Sequence, residues 1–328
     1  MNNLILSIAI VVYNTEKYLN ECVMSCVNQN ASNELYEIVL IDDGSTDGSS
    51  EIMDSFASEY DNVSVIHQNN FGVSAARNKA IECCRGDYIW FVDSDDFIQT
   101  DIIGDIIACL NKYRPDRFGV DLYWFNNELT DKELELKSKN LIVSNGPRYL
   151  CGNIYRKSII KDNSISFDSE INVEEDMLFN YDYAIYEKTF KELNKVAYFY
   201  RGREGSLTHS SKESLLDPTL KIALKMKSFM YTGYGDTVYA SFKMIKCIYD
   251  YLTVIVSLPY KKYRYYFLNL KNAGLFPMNV PQSAKEKARM KNINVDLKIF
   301  DVCSTYRGLF CLWKKQIKKK INKLIDRV

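Results

Sequence analysis

Asp93, Asp95 and Asp96, broken only by Ser94, close an apolar run that ends in Phe91 and Val92. Clustered carboxylates repel and raise one another's pKa unless a cation offsets them, so a block of acids at the end of a buried strand points to a divalent metal. The run lies midway along a region of α/β texture, where strand ends hold ligands in open sheets. A metal there would grip a substrate phosphate, which implies an enzyme that handles nucleotides.

Other chemistries are excluded nearby. A dinucleotide-binding turn carries GxGxxG after the first strand and a P-loop carries GxxxxGK[ST]. The chain instead reads Val12, Tyr13, Asn14, Thr15, Glu16, with no glycine. Nucleotidyl transfer to a sugar phosphate would also need a glycine-rich basic loop at this place, and it is missing. Nine cysteines without a CxxC pair, with only His67 and His209, leave no zinc-ligand spacing. The thiols read as reduced, in a cytoplasmic protein, and Cys22 and Cys26, one helical turn apart, read as core packing. With 42 basic and 42 acidic side chains the formal charge is +0, so no global field draws the chain to nucleic acid. Met1–Val12 lacks a basic leading region and a cleavage site and reads as a strand. Ile248–Leu258, interrupted by Asp250, falls short of the roughly 20 residues that span a bilayer.

The hydrophobic pattern supplies a scaffold for the acids. Leu4–Val12 is apolar enough for a strand buried on both faces. Leu19, Cys22, Val23, Cys26 and Val27 then keep the spacing of one helical stripe. The alternation continues with Glu37–Ile41 as strand, Ser50–Tyr60 as helix, Val63–His67 as strand, Gly72–Cys84 as helix, Asp87–Val92 as strand and Thr100–Tyr113 as helix. Repeated β-then-α units predict a mainly parallel sheet with helices on both faces. Beyond Asp116 the pattern predicts strands at Asp121–Phe125 and Leu141–Ser144 around a charged excursion, Asn127–Asn140. A helix is predicted over Val173–Tyr186, opened by Glu174, Glu175 and Asp176, acids that suit a positive helix N-terminus. Past Ser211 long amphipathic helices rich in Lys, Tyr and Ile predict a smaller, mostly α-helical second domain, giving a division into residues 1–211 and 212–328.

Four segments occur in order and at suitable spacing: Ser7–Asn14 (SIAIVVYN), Val39–Asp47 (VLIDDGSTD), Gly72–Asn78 (GVSAARN) and Phe91–Asp96 (FVDSDD). Together they resemble family 2 glycosyltransferases with the GT-A fold, of the bacterial polysaccharide-biosynthesis type. The resemblance covers roughly the first 210 residues and implies a Rossmann-like sheet that binds a nucleotide sugar and transfers it with inversion. It implies a UDP-sugar donor and a glycan or lipid-linked saccharide acceptor in capsule or lipopolysaccharide synthesis. A catalytically degenerate relative serving as a glycan-binding or scaffold subunit is the rival, against which Asp93, Asp95 and Asp176 stand.

Each segment also has a physical logic. Tyr13 can stack on a base and Asp43 can accept a uracil N–H. By resemblance Val11, Tyr13 and Asp43 line the nucleoside pocket with Asp42 beside them, against a plain turn and helix cap over Asp42–Asp47. Arg77 and Asn78 open a helix where a diphosphate or donor sugar could meet N–H groups and a cation, against an arginine paired with a neighbouring acid. Asp93, Ser94 and Asp95 match the family's DxD pattern, facing the donor, and oxygen ligands point to Mn²⁺ or Mg²⁺. For Asp96 a helix-capping role stays open. Inverting transfer needs a base for the acceptor hydroxyl; the resemblance assigns Asp176, with Glu175 orienting it or binding acceptor. Tyr200–His209 resembles a loop that closes over the donor, which implies Arg201 and Arg203 on phosphate and His209 as a third metal ligand, against a plain solvated basic loop.

Near the end, Tyr306, Phe310, Trp313, Ile317, Ile321 and Leu324 recur at three- and four-residue intervals among seven lysines and arginines. Such a helix can lie on an anionic membrane, here the inner face of the plasma membrane, or pack on its own domain with its lysines solvated. The aromatic and basic segment Pro259–Lys271 adds weight to the first.

Overall fold

Leu6–Val12 (β1) is apolar apart from Ser7, whose hydroxyl is buried against Glu37, and it lies between two parallel neighbours, Tyr36–Asp42 (β2) and Tyr88–Asp93 (β4). Val63–His67 (β3) extends the parallel set beyond β2. Helices make the crossovers, as parallel pairing requires: Glu16–Val27 (α1), Ser49–Glu59 (α2) and Val73–Cys83 (α3). The computed structural model describes residues 4–126, 149–171, 175–202, 216–232 and 247–277.

After β4 come Phe97–Ile98 (β5), Ile103–Tyr113 (α4), Arg117–Asn126 (β6), Asn153–Arg156 (β7), Lys157–Asp162 (α5), Glu175–Ala184 (α6) and Phe190–Gly202 (β8). The eight strands form one sheet in the order β3-β2-β1-β4-β7-β6-β8-β5. β7 is antiparallel to both β4 and β6, β8 is parallel to β6, and β5 is antiparallel to β8. The sheet is therefore parallel through β4, as the β-then-α alternation predicted, and mixed beyond it, where strict alternation ends.

Each face of the sheet has its own core. One packs Tyr36, Trp90 and Tyr198 with the buried stripe of α1, including Cys22 and Cys26, and with Ile103, Ile106 and Leu110 of α4. The other joins Ala76 and Ala80 of α3 to Phe91, Tyr155, Phe167, Phe179 and Tyr183. Phe167 and Phe179 stack at 4.2 Å, and Phe91 meets both rings edge-on. Such pairs add about 0.5–1.5 kcal/mol each beyond the area they bury, and they tie the segment before α6 to the sheet.

The chain divides into two compact units, Met1–Ser206 and Leu207–Val328. The described part of the second unit holds Leu216–Thr232 (α7), a helix over 247–255 (α8) and Tyr260–Asn272 (α9). Among the described residues no helix is long and apolar enough to cross a membrane, and every cysteine is free. The expected strand at Leu141–Ser144, the charged excursion, Glu174, Arg203, His209 and the basic tail lie outside the described residues.

A tight turn follows the end of β2. Gly44 follows β2 with φ +74°, and a Cβ there would stand 2.8 Å from the backbone nitrogen of Asn70. Gly44→Ala therefore meets both a left-handed backbone and an unyielding neighbour. We expect it to lower stability by about 1–2 kcal/mol or more, seen as a melting temperature about 2–8 °C lower by circular dichroism.

Candidate active site

The strand register brings the candidate residues level. Val11 lies beside Ile41 on one neighbour and Asp93 on the other, and Val12 lies beside Asp42. Past the end of β4 the alternation persists: Asp93 and Asp95 are half-buried, whereas Ser94 and Asp96 are buried. Ser94 Oγ accepts from the Thr15 hydroxyl at 3.0 Å, which fixes the turn against the start of α1.

Arg77 connects the two acidic clusters. From α3 its Nη2 donates to Asp93 Oδ1 at 3.0 Å and its Nη1 to Glu175 Oε1 at 2.6 Å. Burial works against its charge, and the carboxylates of Asp93, Glu175 and Asp176 outweigh burial, so its pKa rises. Asp176 follows Glu175 in the first turn of α6 and accepts the Met177 N–H at 2.7 Å. Burial, and then the charge of Glu175, push the Asp176 carboxyl up to about 6, although Arg77 and the Met177 N–H pull against the shift.

α3 holds this region in three places. Ser74, Arg77 and Asn78 share one helical face by their i, i+3, i+4 spacing. Ser74 Oγ donates to the Ile171 carbonyl at 3.2 Å, and Asn78 pairs with both backbone groups of Phe167 at 2.8 Å. Both ends of the Asn78 amide thus serve the protein backbone.

Asp96 does not cap the helix that follows, because α4 starts only at Ile103, after β5. Its Oδ2 accepts from the Tyr198 hydroxyl at 2.6 Å and its Oδ1 from the Arg201 N–H at 2.7 Å. The same Tyr198 oxygen accepts the Asp93 N–H at 3.1 Å. Burial, reinforced by Asp93 and Asp95, pushes the Asp96 carboxyl up to about 8. Tyr198 belongs to none of the sequence motifs; the aromatic run Tyr198, Phe199, Tyr200 is the one signal that a strand there meets the core. The Arg201 guanidinium is engaged by protein: Nε donates to the Asp95 carbonyl at 2.9 Å, Nη2 pairs with Glu21, and the rings of Tyr18 and Phe125 lie about 5 Å away.

Around β2 the two aspartates divide. Asp42 accepts from Ser45 N–H at 2.8 Å and from the Ser50 hydroxyl at 2.7 Å, and His67 Nδ1 lies 2.9 Å from it. Burial raises its pKa, but these bonds prevail and leave it lowered. Asp43 accepts from Gln68 Nε2 at 2.7 Å, from Phe71 N–H at 3.0 Å and from Gly72 N–H at 2.9 Å. It thereby shapes the turn into α3, where Gly72 has φ +88°. Tyr13 is 48% exposed and Phe71 66% exposed, two rings left open at the carboxyl ends of the strands. Phe71 carries no sequence signal of its own, standing alone between Asn70 and Gly72.

Residues 7–168 match the family described as Glycosyl transferase family 2. Over 245 residues the chain is 31% identical to the uncharacterized glycosyltransferase EpsJ of Bacillus subtilis, covering 70% of this chain and 71% of EpsJ. The chain belongs to glycosyl transferase family 2. This family 2 glycosyltransferase is also 33% identical over 252 residues to a poly(ribitol-phosphate) beta-glucosyltransferase of Bacillus spizizenii, covering 67% of this chain and 38% of that protein. Its fold matches S. aureus TarS residues 1–349 in complex with UDP-GlcNAc, with a TM-score of 0.67, 21% identity and 91% of each chain covered. A mannosyltransferase from Pyrobaculum calidifontis in complex with GDP-Man and Mn²⁺ aligns with a TM-score of 0.54 at 10% identity. At those identities the structural likeness speaks for the fold.

Proposed function

We propose that this family 2 enzyme moves a sugar from a UDP-sugar to a glycan or lipid-linked saccharide in bacterial surface-polysaccharide synthesis, with inversion. The observation that carries the reading is the Arg77 contact, which brings Asp93 and the Glu175-Asp176 pair to one place from distant parts of the chain. The UDP-GlcNAc held by the fold neighbour TarS and the polymer named for the Bacillus spizizenii relative support the donor and acceptor classes.

Val11, Tyr13 and Asp43 form the nucleoside side in this reading, with Tyr13 free to stack on a base. Asp176 takes the proton of the attacking hydroxyl, and a carboxyl near 6 is matched to that task at neutral pH. Glu175, held by Arg77, keeps Asp176 in place. Asp93 and Asp95 would hold Mn²⁺ or Mg²⁺. Among the described residues no group of three His, Cys, Asp or Glu gathers as a metal cage. Two half-buried carboxylates nevertheless suit an ion that takes its remaining oxygens from a diphosphate and water. When bound, it would offset charge on the nucleoside diphosphate leaving group.

A panel of nucleotide sugars tested for binding and transfer, with Mn²⁺ and with EDTA, checks this. We expect donor binding to weaken at least about tenfold on chelation, and likewise in Asp95→Asn with metal present, since charge-assisted contacts of this kind are worth about 1.5–3 kcal/mol. Undiminished transfer in EDTA would overturn the metal assignment, and failure to bind any nucleotide sugar would overturn the donor.

A further inference from the structure

A second charged feature lies at the opposite end of the sheet. A cleft of about 420 Å³ opens at the amino ends of β1 and β4, and its walls include Arg85, Arg114, Arg156, Lys157 and Lys161. The length of β4, six residues or roughly 20 Å at a strand's rise, separates it from Asp93. Asp87 is the single carboxylate in its lining.

Two of the five cations are balanced from behind. Arg85 pairs with the buried Glu37 at 2.7 Å, and Arg156 faces Asp116 at 3.4 Å. Among the described residues Arg114, Lys157 and Lys161 form no ion pair with a carboxylate, although the charge of Glu37, already paired with Arg85, reaches Lys157. Three cations against Asp87 leave a surplus of two positive charges. Like charges on a surface ordinarily spread apart, yet here α5 brings Lys157 and Lys161 together one helical turn apart, in a cleft that Arg114 also lines. Arg114 is the residue after α4 and has φ +43°, a left-handed conformation that arginine seldom adopts. Burial, and then the charge of Lys161, disfavour the Lys157 ammonium, which donates to the Cys84 carbonyl. An anion in the cleft would relieve that crowding.

We propose that this cleft binds a phosphate group, with Arg114, Lys157 and Lys161 as its partners. A phosphate monoester carries about −1.5 to −2 charge near neutral pH, which matches the surplus, and its oxygens accept from several donors at once. The group can belong to a soluble phosphorylated compound or to a phospholipid headgroup. The proposal is independent of the assignment of Asp93, Asp95 and Asp176, since no residue is shared.

The test uses the full chain and the double variant Arg114→Glu/Lys161→Glu, both positions being exposed. Calorimetric titration with pyrophosphate in metal-free buffer gives one arm, and flotation with phosphatidylcholine vesicles containing phosphatidic acid gives the other. We expect the double variant to bind pyrophosphate at least about tenfold more weakly, while its melting temperature and nucleotide-sugar binding match the parent. Pyrophosphate binding without flotation identifies a soluble source; flotation that is lost in the variant identifies the headgroup. Equal pyrophosphate binding and flotation by parent and variant, or no binding to either probe, would overturn the proposal.

Discussion

Asp176→Asn keeps donor binding and lowers kcat for transfer by about 10²–10⁴-fold, the range for loss of a positioned general base. The amide occupies the same volume in the first turn of α6 but cannot take a proton. The parent enzyme should show the matching pH dependence. Because the Asp176 carboxyl lies near 6, kcat/KM falls about tenfold per pH unit below pH 6, whereas a base with an ordinary carboxyl would hold to about pH 4. The same shift makes a statement about stability. An acid whose folded pKa is raised keeps its proton longer in the folded state, so stability declines as pH climbs from about 4 to about 6 and stays lower above. At pH 7.5, then, Asp176→Asn should melt higher than the parent, not lower. Rate profiles and melting curves of the two proteins decide the matter; a variant with normal kcat, or one that melts lower at this pH, removes Asp176 from the role.

Arg77→Ala has the largest expected effect on folding. The guanidinium is 9% exposed and neutralises Asp93 and Glu175 together, and its removal leaves Glu175, 11% exposed, facing the other acids unpaired. Deleting one member of a buried ion pair costs about 3–5 kcal/mol, and the lower figure applies because Asp93 is 38% exposed and water can reach it. About 3 kcal/mol corresponds to a melting temperature about 6–12 °C lower for a domain of this size. Arg77→Lys should recover little, since one ammonium cannot reproduce a fork that donates in two directions. Urea denaturation measures the loss, and a cost under about 0.5 kcal/mol would show that the contact holds nothing together.

The parallel half of the fold was legible because its strands are continuous apolar runs and its helices carry clean stripes. Cys22 and Cys26 were placed in the core for that reason, and they are buried there. The second half was legible only in part: the strand expected at Asp121–Phe125 lies within β6 and the helix expected at Val173–Tyr186 contains α6, while its other elements gave no signal. β5 is two residues long, and the first half of β8 is Lys- and Glu-rich and exposed, so neither gives a periodic signal. β7 and α5 are too short for a pattern to rise above its surroundings. At the candidate site the acids announced themselves by composition, but their neighbours did not. Nothing in one dimension says that residues 77, 93 and 175 meet, because that encounter depends on the sheet and both of its cores. The i, i+3, i+4 set Ser74, Arg77 and Asn78 was visible on the page, yet only the fold reveals that the face looks toward Phe167 and Ile171.

The pairing of Val11 with Asp93 makes β4 a ruler. Side chains along a strand switch faces at every step. Adding or deleting one amino acid anywhere from Tyr88 to Val92 would therefore rotate Asp93 toward the α1 side and bring a neighbour to Arg77 instead, although composition and hydrophobicity would hardly change. Chains descended from a common ancestor should accordingly accept length changes in the connections on either side of this element far more readily than inside it, where odd-numbered indels break phase.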